Sequence, residues 1–311
     1  MLFTSVSKSL LFTGAIAGLA TSGIFAGVTQ AQSNTQEVTI TFDGRVGEKQ
    51  FSCEEDYADL GASNATVTPT DFRFYVSDLA LIDTAGNPVP IELEQDEKWQ
   101  YQNVALLDFE DKTGACANGT VETRNIVVGT VPQGDYQSLQ FTLGVPSQLN
   151  HEDAAIAPSP LNLTSMWWNW QGGYKFLRVD WQNKAIATID NKEMQHGEMQ
   201  HGEMQHGDSS NGTFLIHVGS TGCQETGNQS YECSNPNQSE IILENFDPEN
   251  NVVVADLANL VSQTDLASNQ PDTPAGCMSS PEDMDCMEIF NNLGLSFNER
   301  TSEESTFFRA E

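Results

Sequence analysis

Two histidines are the residues of this chain best placed to bind a metal ion. The sequence has five histidines, of which three belong to a repeat and two, His151 and His217, stand apart from it. His151 lies in a Pro- and Asp-bounded segment, and His217 closely precedes Gly219-Ser220-Thr221-Gly222. Loops at strand ends commonly display binding residues, and imidazole is a frequent metal ligand. By itself, a lone histidine is more often a surface or hydrogen-bonded residue than a metal ligand.

A tryptophan cluster lies between these histidines in sequence. Trp167, Trp168 and Trp170 are three of the five tryptophans in the chain. Side chains alternate in an extended segment, so we expect Trp168 and Trp170 on one face and Trp167 with Asn169 on the other. Such aromatic stripes most often fill a core, with each indole N–H bonded. A stacking platform for carbohydrates is the alternative interpretation.

A Met- and His-rich repeat spans residues 193–207. The unit Glu-Met-Gln-His-Gly occurs three times, and its candidate donors are Met194, His196, Met199, His201, Met204 and His206. Histidines five positions apart on a helix would be turned by about 140°, and the recurring glycine also opposes a helix. We therefore predict a loop. Thioether and imidazole donors suit copper, especially Cu(I), although a slippage-expanded polar linker would look the same.

The N-terminal residues have the order of a secretory signal peptide. Lys8 precedes an apolar run, and Thr29-Gln30-Ala31 resembles a small-residue cleavage site. We predict a signal peptide over residues 1–31 and a single domain over residues 32–311. No later apolar stretch approaches the ~20 residues that span a bilayer. The protein is therefore expected to be periplasmic or secreted.

The net charge of the chain argues against polyanionic partners. Thirteen Lys and Arg face 44 Asp and Glu, which gives a formal charge of −31. Nucleic acid and anionic membranes would be repelled by such a surface. Solubility is the simplest reason for the excess of acid, and attraction of cations or of a basic partner is the alternative.

The six cysteines are predicted to form disulfides, because export places them in an oxidising compartment. Six cysteines can pair in 15 ways. Two pairs are close in sequence with loop-like segments between them, and the third pair is what remains. The predicted bridges are Cys223 to Cys233, Cys277 to Cys286, and Cys53 to Cys116. A thiolate metal site is the less favoured reading, since no spacing is C-x-x-C.

Short strand-like segments punctuated by Gly, Pro, Asn and Asp run along the mature chain. We predict strands over residues 38–42, 72–82, 104–109, 122–128, 138–143, 174–181, 213–218 and 241–245, with helical turns near 252–263 and 284–293. This pattern favours an all-β fold, a β-sandwich of short antiparallel strands with long loops that disulfides staple together.

Several ordered motifs resemble the MbnP-like copper-binding family, also called the metallo-mystery-pair four-Cys family. These motifs are Phe42-Asp43-Gly44, Phe72-Arg73-Phe74-Tyr75-Val76-Ser77, Phe141-Thr142-Leu143-Gly144-Val145-Pro146, Asn150-His151, the tryptophan cluster, His217 to Cys223, and Gly276-Cys277-Met278-Ser279. The resemblance implies a periplasmic copper binder with His151 and His217 as ligands. It also implies that Trp168 or Trp170, which match the family's W-x-W pattern, is oxidised to kynurenine by a di-haem cytochrome c peroxidase-like (MauG-like) partner.

Other chemistries fit the sequence poorly. A blue-copper site needs a free cysteine, and a histidine brace needs histidine at the mature N-terminus, where we expect Gln32. Neither a G-x-S-x-G elbow, an H-E-x-x-H motif nor a P-loop occurs. We expect a non-enzymatic protein of copper acquisition or handling. The alternative function is a secreted carbohydrate- or surface-binding β-sandwich with an aromatic platform.

Overall fold

The computed structural model describes residues 34–117, 119–169, 171–184, 212–227, 230–301 and 304–311. The predicted signal peptide, Trp170 and the repeat at 193–207 lie outside the described residues. Every element below belongs to one unit, Thr35–Glu311. The strands are β1 (Thr35–Val46), β2 (Lys49–Gln50), β3 (Tyr57–Leu60), β4 (Ala65–Asp83), β5 (Pro88–Pro90), β6 (Glu92–Leu93), β7 (Gln100–Tyr101), β8 (Val104–Asp108), β9 (Ile126–Pro132), β10 (Tyr136–Leu143), β11 (Trp167–Asn169), β12 (Gly173–Tyr174), β13 (Leu177–Asn183), β14 (Thr213–Val218), β15 (Thr221–Gly227), β16 (Ser230–Asn235), β17 (Ser239–Glu244), β18 (Val253–Asp256), β19 (Gly276–Cys277) and β20 (Phe308–Ala310).

Two sheets hold most of these strands. The smaller has the order β20-β18-β1-β9-β6, with β2 on β1. The larger has the order β17-β10-β4-β13-β14-β19, with β3, β5 and β8 also pairing with β4. The all-β prediction is confirmed. Two pairings, β1 with β18 and β14 with β19, are parallel, and β4 is 19 residues long, so the strands are neither all short nor all antiparallel.

A phenylalanine-rich core lies between the two sheets. Alternating residues of β1 are buried, as expected of a strand with one face on a core. Phe42 of β1 meets Phe74 of β4 and Phe141 of β10, with ring centroids 5.9 and 5.7 Å apart, both edge to face. Such aromatic pairs add to the free energy gained by burying their area. The two sheets therefore pack as a sandwich.

A second core covers the outer face of the larger sheet. Tyr75 points away from Phe74, because successive residues of a strand alternate. It joins a cluster that includes Met166, Tyr174 and Phe176, beneath the long segment that follows β10. The hydroxyls of Tyr75 and Tyr174 donate to the carbonyls of Pro160 and Leu161, at 2.9 and 2.6 Å. These bonds fix the segment that carries His151 against the sheet.

The three predicted disulfides are all present, Cys53–Cys116, Cys223–Cys233 and Cys277–Cys286. Among the residues described, the helical segments are short 3₁₀ turns and α-helices at Thr164–Met166, Leu257–Leu260, Met284–Cys286 and Met287–Asn292. In the described part of the chain, none of them is long and apolar enough to cross a membrane.

Three local predictions differ from the structure. The strand predicted over 174–181 is interrupted at 175–176, between β12 and β13. Residues 253–256, predicted as a helical turn, form β18, because Val253, Val254 and Ala255 are fully buried beside β1. Tertiary pairing here outweighs local preference. The strand predicted from Glu122 begins only at Ile126, and before it Arg124 makes a single bridge to Asp108.

Candidate functional site

A row of charged residues crosses the outer face of the larger sheet. Strand register places His217 on β14 opposite Arg178 on β13, and Arg178 opposite Arg73 on β4. Asp180 and Asp71 are paired in the same way. Directly paired residues share one face of a sheet, so all five side chains lie together. Four of the five are buried, which demands that their charges be paired.

His217 and Asp180 form the best-defined polar pair of this row. The Nε2 atom of His217 lies 2.7 Å from Oδ1 of Asp180, whose Oδ2 accepts from Nε and Nη2 of Arg178 at 2.8 and 2.6 Å. Burial lowers the pKa of His217, although the bond to Asp180 opposes this. Burial raises the pKa of Asp180, but His217 and Arg178 outweigh it and leave the pKa lowered.

The directions of these two pKa shifts favour one protonation state of the pair at neutral pH. The imidazole of His217 is neutral and donates its Nε2–H to the ionised carboxylate of Asp180. Its Nδ1 atom therefore keeps a lone pair. Metal-ligating histidines typically donate their other ring N–H to a carboxylate in this manner, which orients the ring and raises its basicity.

Three cations bind Ser165, which lies two residues before the tryptophan cluster. Nζ of Lys175 and Nη1 of Arg178 donate to the carbonyl of Ser165 at 2.9 and 3.1 Å, and Nη1 of Arg73 donates to its hydroxyl at 3.2 Å. Burial, with the nearby charge of Arg178, lowers the pKa of Lys175 to about 8. Arg178 thus bonds both to Ser165, near the tryptophan cluster, and to Asp180, which in turn bonds to the ring of His217.

The two described indoles of the cluster line separate cavities. Trp167 lines a cavity of about 880 Å³ together with His151, and its buried Nε1 has no hydrogen-bond partner among the described residues. Trp168 lines another cavity, of about 520 Å³, with Cys223 and Met278. The expected alternation of Trp167 and Trp168 accounts for this. These two indoles therefore form no common stacking platform.

His151 is half-buried at the mouth of two cavities. Its ring stacks on Tyr231 with centroids 4.4 Å apart and planes inclined by 29°. Its Nε2 atom lies 3.4 Å from Nδ2 of Asn150 and 3.5 Å from Sγ of Cys233. Besides the cavity shared with Trp167, it lines a second of about 360 Å³ beside Ser220.

Asn150 connects the loops that carry the two histidines. It is buried, and its Oδ1 accepts from the backbone N–H of Tyr174 at 3.0 Å. That bond fixes the orientation of the amide, so Nδ2 faces His151 and the hydroxyl of Ser220, the latter at 3.4 Å. Ser220 follows His217 by three residues.

The contacts of the described residues do not join the two histidines directly. His151 lines cavities, whereas His217 is 7 % exposed and lines neither of them. Both remain predicted ligands. The sulfur atoms of Cys223 and Cys233 lie within 4.8 Å of a His151 ring nitrogen and of each other, but a disulfide joins them.

Sequence reasoning did not identify Asp180, Arg178 or Lys175 as parts of this site. The available signal was the alternation of Arg178 and Asp180 with Leu177, Val179 and Trp181, all three fully buried. Charged residues on one face of an otherwise apolar central strand must be paired across the sheet. Their partners lie on distant segments, which single-sequence patterns do not reveal.

Comparison with known proteins supports the resemblance seen in the sequence. The MbnP family model matches residues 35–279. The solved structure of MbnP from Methylosinus trichosporium superposes with a TM-score of 0.74 at 30% identity, covering 89% of this chain and 98% of that one. A search of curated proteins found no match. The family match spans well over half of the sequence, and the chain belongs to the MbnP family.

Proposed function

We propose that this protein is an exported copper-binding protein of copper acquisition or handling, with His151 and His217 as ligands. The buried His217–Asp180 pair carries the proposal, because a carboxylate holds a neutral imidazole in one tautomer. Membership of the MbnP family supports it further. Copper would be cargo here, and we expect no catalytic activity of the protein itself.

The donor set fits copper in its chemistry. Imidazole nitrogens suit copper in both common oxidation states, and two imidazoles with a weak third donor are well tolerated by Cu(I). All six cysteines are in disulfides, so the protein in this state offers no thiolate for a blue-copper centre. The acidic surface favours the approach of cations.

We further propose that Trp168 or Trp170 is oxidised to kynurenine by a di-haem MauG-like partner protein. Trp168 suits this role because it is half-buried, lines an open cavity and packs against Gly219, two residues beyond His217. An intact indole offers only an N–H donor. Opening its five-membered ring creates a carbonyl and an aryl amine, and both have lone pairs that a metal could use.

The Met- and His-rich repeat has an accessory role in the proposed function. Met194, His196, Met199, His201, Met204 and His206 would collect copper at low affinity through thioether and imidazole donors. Deletion of residues 193–207 should then reduce copper uptake at high metal concentration and leave the tight site unchanged. Loss of tight binding on deletion would show that the repeat forms the tight site and that His151 and His217 do not.

Competitive titration with Cu(I) and Cu(II) tests the main ligands. We expect His151→Ala and His217→Ala each to weaken binding at least tenfold, since either change leaves an incomplete ligand set. A repeat variant, His206→Ala, is the matched control for loss of an imidazole. Unchanged tight binding in the doubly substituted protein would refute the assignment.

Peptide mass spectrometry tests the modification. The protein is produced with and without a co-expressed di-haem MauG-like partner, and the peptide containing Trp167 to Trp170 is compared. A mass change confined to the sample made with the partner supports kynurenine. Identical unmodified peptides with equal copper affinity would show that the tryptophans serve packing alone.

A further inference from the structure

We propose that His151, Cys223 and Cys233 form a redox-gated metal site, closed while the disulfide is intact and open to a thiophilic cation such as Zn²⁺ once it is reduced. This site shares His151 with the proposed copper site but does not involve His217, and it goes beyond the proposed function. Among the described residues, this is the one group of three or more His, Cys, Asp or Glu side chains with ligand atoms all within 4.8 Å of each other.

The distances between the donors suit a single ion. Zinc–nitrogen bonds of about 2.0–2.1 Å and zinc–sulfur bonds of about 2.3 Å place tetrahedral nitrogen and sulfur ligands about 3.6 Å apart. Nε2 of His151 lies 3.5 Å from Sγ of Cys233. Two of the three donors therefore already have the spacing of ligands on one metal.

The third donor is positioned by a hairpin. Strands β15 and β16 place Cys223 directly opposite Cys233, with Cα atoms 3.8 Å apart. The neighbouring pairs Gln224–Glu232 and Glu225–Tyr231 continue the ladder beyond the disulfide. After reduction the two sulfur atoms need only rotate apart within this frame to admit an ion between them and His151.

The Cys223–Cys233 disulfide is the most accessible to solvent of the three. The cysteines of the other two bridges are at most 2 % exposed. Cys233 is half-buried and lines the 360 Å³ cavity beside His151, and Cys223 lines the cavity beside Trp168. Most other residues of the hairpin are exposed. Cys223 is itself only 4 % exposed, so a reductant reaches this bridge from the Cys233 side, while the other two bridges stay protected.

The redox step requires a dithiol reductant. A thiolate of the reductant attacks one sulfur atom of the bridge and forms a mixed disulfide, and its second thiolate then displaces the cysteine. The reductant leaves as its own disulfide, having supplied two electrons, and the two cysteines take up two protons. Metal binding displaces those protons from the thiols. Reoxidation by a disulfide-bonded oxidant, which accepts the two electrons by thiol–disulfide exchange and leaves as its dithiol, joins the sulfur atoms again and expels the ion.

The test uses the mature protein and Co²⁺ as a spectroscopic probe for a zinc-type site. The protein is treated with dithiothreitol without oxygen, and alkylation with mass spectrometry identifies the reduced cysteines. We expect Cys223 and Cys233 to be alkylated before the other four. The reduced protein should bind one Co²⁺ with a thiolate-to-cobalt charge-transfer band, and the oxidised protein should show none.

Matched variants locate the ion. Cys233→Ser should weaken or abolish the charge-transfer band, and His151→Ala should weaken Co²⁺ binding at least tenfold, whereas the hairpin control Ser234→Ala should bind as the wild type does. Near-UV circular dichroism of each protein checks its folding. Absence of the band in reduced, folded wild type would overturn the proposal, as would earlier reduction of Cys277 and Cys286. Loss of Co²⁺ binding in His217→Ala with unchanged Co²⁺ binding in Cys233→Ser would overturn the proposal and place the ion at the proposed copper site instead.

Discussion

His217 and Asp180 lie on adjacent strands with Nε2 and Oδ1 only 2.7 Å apart, and Arg178 completes the pairing of the carboxylate. Because the three residues belong to the paired strands β13 and β14, their separation is set by the sheet. A ligand held by a strand is positioned more rigidly than one on a loop. His151, in contrast, depends on loop contacts for its position.

Asp180→Asn should lower copper affinity by about 10–100-fold, the usual effect of changing a carboxylate that orients a metal-binding histidine. The amide retains the shape of the side chain but loses its charge, so the tautomer of His217 is no longer fixed. Competitive Cu(I) titration measures the change, and Asp135→Asn, at an exposed position, serves as the control. Equal affinities in the two variants would show that Asp180 is only structural.

Gly219→Ala should displace the indole of Trp168 and destabilise the protein by about 1–3 kcal/mol, the range for overpacking. A Cβ atom at this position would lie 2.5 Å from the carbonyl oxygen of Tyr174 and 2.7 Å from Cζ3 of Trp168. Tryptophan fluorescence and urea unfolding measure both effects. The control is Gly134→Ala, whose nearest contact would be an ordinary 3.6 Å to Tyr136. Similar stabilities of the two variants would contradict this packing.

The sequence predicted the fold class, because turn residues that punctuate short strands are a local signal. Close spacing predicted two of the disulfides, and Cys53–Cys116, 63 residues apart, followed only as the remaining pair. It also identified the two histidines as candidate ligands and the tryptophan cluster as the candidate for modification. It did not predict the pairing of Asp180 with His217, which are 37 residues apart and meet through strand register. Nor did it predict β18, because only pairing with β1 makes residues 253–256 a strand. Nonlocal contacts thus account for what single-sequence patterns miss.

Asn150→Ala should cost about 1–3 kcal/mol of stability, because it leaves the buried N–H of Tyr174 without its acceptor. The loop that holds His151 should loosen as well, since the amide also faces Ser220. Urea unfolding and the NMR signals of the His151 ring report these effects. The control is Asn87→Ala, which removes an exposed amide bonded to Asp83. An equally small loss in both variants would show that Asn150 does not fix the loop.

Asp108 should make the stability of the protein depend on pH. Burial raises its pKa to about 7, against the lowering effects of Arg73 and of the Glu110 backbone N–H. An unfolded aspartate has a pKa of about 3.9, so the folded state binds the extra proton between these values. Its contribution is therefore fully present below about pH 4 and is lost as the pH rises through about 7.

Asp108→Asn should remove this dependence, because the amide is neutral at every pH and retains an acceptor for the Glu110 N–H. Between pH 4.5 and 7, the wild type should lose stability relative to the variant by up to about 1.4 kcal/mol per pH unit. Glu110, whose pKa burial also raises, is common to both proteins and cancels in the comparison to first order. Urea unfolding across this range, with Asp135→Asn as the exposed control, measures the difference. Parallel stability curves for wild type and Asp108→Asn would show that Asp108 stays ionised in the fold, with Arg73 compensating its burial.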